Sequence, residues 1–206
     1  MFSGYNNWNR INTYRDNFLA NNPSTPWSEE FRKLIQQKHL YQDKFIILIN
    51  SYYSGVNPET LGLHDKDDWK EKSLIIRREH ECTHYFTKQV FGSMQNNIFD
   101  EIMADYAGLT TAIGEFNASN FLTFFGLENF PKYRKTGRLE IYRGNLAGNA
   151  FAVLHKLIVK AAGNLERFSK MHNTKDDIFK TIMALTKFTL EELTLDNVLD
   201  LLEQDI

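Results

Sequence analysis

The sequence predicts an α+β fold that is mostly helical, and three observations predict it. Apolar residues recur at helical spacing through most of the chain, and only one stretch, Lys44 to Tyr53, reads clearly as strand. The apolar share of 42% is enough to build a substantial core. At 206 residues the chain suits one domain, 1–206, with 115–206 forming a helical C-terminal portion.

Residues 8–20 read as a first helix, ended by Asn21-Asn22-Pro23. Thr25 as N-cap and Pro26 at the first helical position begin a second, with Glu29 and Glu30 early and Phe31, Leu34 and Ile35 on one side. Lys44 to Tyr53 is rich in Ile, Phe and Tyr and is stopped by Gly55 and Asn57-Pro58. Its near-continuous apolar run predicts a strand covered on both faces.

A polar loop, Glu59 to Asp68, leads to a long helix from Trp69 to Phe91. Leu74, Ile75, Cys82, Tyr85, Phe86 and Val90 form its apolar pattern, and Gly92 ends it. Asn96 or Asn97 caps the next helix, which runs to Gly114. Further helices are expected near 117–125, 145–162, 164–172, 174–187 and 190–204, with Arg138 to Arg143 a short strand.

The formal charge of −2 gives no sign of a nucleic-acid or anionic-membrane partner. One cysteine, Cys82, excludes an intrachain disulfide and points to a reducing compartment. The N-terminal residues lack the basic start and apolar stretch of a signal peptide. The longest purely aliphatic-aromatic run, Phe45 to Ile49, is far too short to span a bilayer, so a cytoplasmic protein is expected.

Chemistry concentrates in His80-Glu81-Cys82-Thr83-His84. On a helix, residues four apart share a face, so both imidazoles can reach one metal ion. Glu81 points roughly a quarter-turn away, placed to touch an activated water rather than to ligate. A catalytic zinc takes three protein ligands. A histidine third ligand in the short metzincin pattern needs His at 90 and Gly at 87, where this chain has Val90 and Thr87.

The following helix offers Glu101 as third ligand and, one turn on, Asp105 to accept the second N–H of a ligand histidine. The first helix descends about 12 Å from His84 to Gly92, and a short turn brings Glu101 back up. Asp100 is the rival ligand, but no acid lies four residues beyond it. Both acids also suit a helix N-terminus for electrostatic reasons alone. Cys82, some 200° round the helix from His80, reads as a small buried residue facing away.

His80-Glu81-x-x-His84 with a downstream Glu101-x-x-x-Asp105 resembles the gluzincin group of zinc metallopeptidases, especially its small intracellular members. Glu101-Ile-Met-Ala-Asp105-Tyr-Ala-Gly is similar to the Glu-x-x-Ala-Asp segment of several such enzymes. The resemblance covers residues 72–110. It implies a zincin-like fold, one Zn2+ held by His80, His84 and Glu101, Glu81 as general base, Asp105 behind the ligands, and a peptide or protein substrate.

An oxyanion donor is sought among Tyr142, Arg143, Tyr133, His155 and His172, with Tyr142 preferred because it sits in a polar stretch bounded by Gly137 and Gly144. His155, among Phe151, Leu154 and Ile158, reads as a packed core histidine, and His64 as a solvated loop residue. The main rival reading is an inactive zinc-binding domain derived from a peptidase. A di-iron carboxylate site would need a second Glu-x-x-His, which the chain lacks.

Overall fold

The structure, a computed structural model, describes residues 2–92, 97–172 and 177–205. It is mostly helical with a small two-stranded sheet, and it divides into two compact units, Met1–Ile47 and Leu48–Ile206.

The first unit begins with β1 (Phe2–Asn6), which pairs antiparallel with β2 (Gln42–Ile46) over five residues, Gly4 lying opposite Lys44. Between them run α1 (Trp8–Asn21), α2 (Trp27–Leu34) and α3 (Lys38–Tyr41). Asn7 caps α1 through its side chain, and Ile11, Leu34 and Tyr41 form a small core with Tyr14, Trp27 and Phe31. The N-cap of α2 is Pro26 rather than Thr25, and no side chain caps it.

The expected strand is much shorter than its apolar run. Among the described residues it ends at Ile46, which pairs with Phe2. The expectation of two covered faces fails as well: Ile47 and Ile49 are 58% and 66% exposed. In the second unit, Arg77 takes the carbonyls of Ile49, Ser51 and Tyr52, so that stretch is pinned by a side chain instead of by a ladder.

Two helices organise the second unit. α4 (Lys66–Phe91) starts three residues earlier than expected, because the Asp65 carboxylate accepts from the amides of Asp67 and Asp68. Its buried face is Trp69, Ser73, Ile76, His80, Thr83 and Thr87, a helical stripe in which four of the six residues are polar. Leu74, Cys82 and Val90 lie on exposed positions instead, so the expected burial of Cys82 is corrected. α5 (Asn97–Ile113) is buried along nearly its whole length and packs against α4. Gly108 permits the close approach: a Cβ there would meet the Ile76 carbonyl oxygen at 2.8 Å. The expected cap at Asn96 or Asn97 lies outside the described residues and side chains.

Around this pair stand α6 (Ala118–Phe125), α7 (Gly148–Met171), α8 (Ile178–Leu185) and α9 (Val198–Glu203). The two helices expected at 145–162 and 164–172 are one, running unbroken through Gly163. The helix expected at 190–204 is interrupted, as the Asn164 amide captures the carbonyls of Leu193 and Leu195. Arg138–Tyr142 forms a 3-10 turn, not a strand. Among the described residues, no helix is long and apolar enough to cross a membrane.

Candidate metal centre

The buried stripe of α4 carries both histidines inward, one helical turn apart. Their Nε2 atoms lie 3.0 Å from each other. α5 brings the Glu101 carboxylate to the same point, with Oε2 3.4 Å from His80 Nε2 and Oε1 3.2 Å from His84 Nε2. These three side chains form a group able to hold a metal ion. Glu81, directly after His80, is half-buried.

Each imidazole is gripped at its other nitrogen by an acid from α5. His80 Nδ1 lies 2.8 Å from Asp105 Oδ1, and His84 Nδ1 lies 2.6 Å from Asp100 Oδ2. Asp105 therefore backs His80. Asp100, weighed above as a rival ligand, instead orients His84, and Thr87 Oγ1 donates to its second oxygen at 3.0 Å.

Two further residues, Tyr53 and Arg138, escaped the sequence reading as site residues. Tyr53 stands in a 3-10 turn, Tyr53–Gly55, that α4 holds in place: Ser73 Oγ accepts from the Tyr53 amide, and Trp69 Nε1 donates to the Val56 carbonyl. Its hydroxyl donates to Asp105 Oδ1 at 2.5 Å and lies 2.9 Å from His80 Nδ1. Arg138 arrives from the far side of the site and pairs with Asp105 Oδ2. Its approach depends on two glycines in contact, because a Cβ on Gly137 would sit 2.2 Å from the Phe125 carbonyl oxygen. Tyr53 was hidden as a strand residue. Arg138 stands 33 residues beyond Asp105, in a stretch with no recognisable spacing.

Of the five candidate donors, Tyr142 lies beside Glu101, whose charge adds to burial in raising the phenol's pKa. Tyr142 also stacks on Phe125. Tyr133 is raised by burial and by Glu140, and Arg143 pairs with Glu140. His155 packs between Tyr133 and Phe151, His172 meets Glu203, and His64 is exposed.

The electrostatics favour a cation at the convergence point. With both Nδ1 atoms facing carboxylates, neutral rings would turn the lone pairs of both Nε2 atoms toward each other and toward Glu101, an arrangement that needs a proton or a metal ion between them. Glu101 Oε2 is buried and has no hydrogen-bond partner. Burial opposes a charge on His84, yet hydrogen bonds and charge from Asp100 and Glu101 lift its pKa from 6.5 to about 10. Burial likewise acts to raise the Glu101 pKa, but His84, His80 and Arg138 bring it below the ordinary carboxylate value. For Asp105 the same burial is outweighed first by Arg138 and then by His80. One proton satisfies two of the three converging groups; a divalent ion satisfies all three.

The chain belongs to a family described as a family of unknown function (DUF7005), which matches residues 1–197. Neither a curated protein nor a solved structure matches it.

Proposed function

We propose that this member of a family without an assigned activity is a zinc-dependent hydrolase of gluzincin type, with a zincin-like fold, acting on peptide bonds in the cytoplasm. One observation carries the reading. The His80 and His84 Nε2 atoms and the Glu101 oxygens stand 3.0 to 3.4 Å apart, each imidazole backed by its own acid. A tetrahedral zinc with bonds of about 2.0–2.1 Å requires neighbouring ligand atoms roughly 3.3–3.4 Å apart. Three protein ligands from N and O donors, with histidines oriented by carboxylates, also match the donor set of a catalytic rather than a structural zinc site.

Zinc held there supplies Lewis acidity, making a water nucleophilic near neutral pH. The chain's own residues then divide the work. His80, His84 and Glu101 hold the ion, and Asp105 and Asp100 keep the rings aligned. Glu81 accepts the proton of the attacking water and returns it to the leaving amine. Tyr142, beside Glu101, is the donor we assign to the oxyanion that develops on the substrate carbonyl.

Elemental analysis of the purified protein should find one zinc per chain. Glu81→Gln should keep that zinc and lower peptide hydrolysis by about 10²–10⁴-fold. An unaltered rate in this variant removes Glu81 as the base. A wild-type protein that holds zinc but cleaves nothing in a broad peptide library identifies an inactive relic instead.

A further inference from the structure

Arg138 stands behind the site, with no atom of its own at the convergence point. Its guanidinium lies against the rings of Phe125 and Tyr53, with Cζ 4.8 and 5.3 Å from the two centroids. Nη1 donates to Tyr53 Oη at 2.7 Å and to Ser54 Oγ at 3.3 Å. Nη2 pairs with Asp105 Oδ2 and lies 3.8 Å from Glu101 Oε2.

A guanidinium can only donate, whereas a phenol has one proton and two lone pairs. Arg138 therefore uses a lone pair of Tyr53, and the single Tyr53 proton goes to Asp105 Oδ1, 2.5 Å away. Toward His80 Nδ1, Tyr53 then has only a lone pair to offer, and so has Asp105 Oδ1. Lone pairs on every side require the ring proton to sit on Nδ1. Nε2 is left bare, aimed at His84 Nε2 and Glu101.

We propose that Arg138 is the positioning residue that fixes this direction of donation, and thereby the tautomer in which His80 can bind a metal. The proposal rests on reading His80 as a metal ligand. Without the guanidinium, the Tyr53 hydroxyl no longer has to accept from Arg138, and it can turn its single proton from Asp105 Oδ1 toward His80 Nδ1. The imidazole proton then belongs on Nε2, where it blocks coordination. A lysine retains the polarity, because an ammonium also only donates; a methionine of similar length abolishes it.

Two measurements test this. Long-range 1H–15N correlation on the metal-free protein, at a pH where the ring is neutral, reports which nitrogen of His80 is protonated. Chelator competition reports zinc affinity. Wild type should show the Nδ1–H form. Arg138→Met should show Nε2–H and bind zinc about 10–100-fold more weakly. Arg138→Lys should keep Nδ1–H and lose less affinity than Arg138→Met.

A folded Arg138→Met with His80 wholly in the Nδ1–H form and zinc affinity within twofold overturns the proposal. Should that variant not fold, Arg138→Gln carries the same test, because an amide can donate or accept. Failure of wild type to bind zinc sinks the metal reading alone, since the tautomer contrast still decides the role of Arg138.

Discussion

The two histidines of α4 hold equivalent places in the sequence, but the protein behind them is not equivalent. His80 is backed by Asp105, which has no exposed surface and is itself held by Tyr53 and Arg138. His84 is backed by Asp100, which Thr87 supports, and both partners retain some exposure. A buried cation neutralises the first carboxylate. Among the described residues, no Arg or Lys pairs with the second, and its charge is answered by His84 itself. One arm is therefore built as part of the core, and the other as an adjustable side of the site.

Removing the acid from each arm should have very different consequences. Asp105→Ala removes the carboxylate paired with the buried Arg138 guanidinium and leaves it the neutral hydroxyls of Tyr53 and Ser54, with the Glu101 carboxylate 3.8 Å away. Removing one member of a buried ion pair costs about 3–5 kcal/mol. Thermal melts of the metal-free protein should therefore show a large fall, or no folded protein at all. A melting temperature close to wild type contradicts the assignment of the His80 arm to the core.

Asp100→Asn should act on the metal rather than on the fold. The amide keeps the shape of the carboxylate but weakens its grip on His84 Nδ1, and zinc affinity should fall by about 10–100-fold with the melting temperature little changed. Chelator competition measures the first quantity and calorimetry the second. An undiminished affinity shows that Asp100 does not orient the ligand.

The His84 arm should also respond to pH. His84 has its pKa raised to about 10, so near neutrality the metal-free site holds a proton that zinc must displace. Apparent zinc affinity should then rise by about tenfold per pH unit between roughly 6.5 and 10. The same proton stabilises the metal-free fold. Because the folded value lies above the unfolded one, that contribution is complete below about pH 6.5 and is lost as pH rises through about 10. Zinc-loaded protein should not show this loss. Potentiometric titration during zinc addition should detect about one proton released near pH 7.5; none released rejects His84 as the proton's holder.

The sequence made one arm more legible than the other, for a physical reason. Four-residue spacing on a helix is a linear signal, so His80, His84, Glu101 and Asp105 could be paired without coordinates. Asp100 was visible as an acid next to Glu101, but only the rotation of α5 against α4 decides that it faces His84. Tyr53 and Arg138 meet across 85 residues through a turn and a glycine contact, and no periodicity encodes that meeting. Apolar patterning misplaced the buried face of α4 for a related reason. The buried stripe there contains Ser73, His80, Thr83 and Thr87, which hydropathy alone assigns to solvent, whereas Leu74 and Cys82 lie outside.

Thr87 offers the smallest and finest test of the two arms. Its hydroxyl donates to Asp100 Oδ1 at 3.0 Å and also lies 3.2 Å from the His84 carbonyl, so it steadies a carboxylate that already grips the ring. Thr87→Val removes only that donor from a buried position of nearly unchanged volume. A hydrogen bond to a charged group contributes about 1.5–3 kcal/mol to the fold, but only the share that steadies Asp100 reaches the metal, on the order of 1 kcal/mol or roughly fivefold in affinity. Zinc binding should therefore weaken by no more than that, well short of Asp100→Asn. If the two variants weaken binding equally, the hydroxyl holds Asp100 in place, and the His84 arm is a relay in the same sense as Arg138, Asp105 and His80.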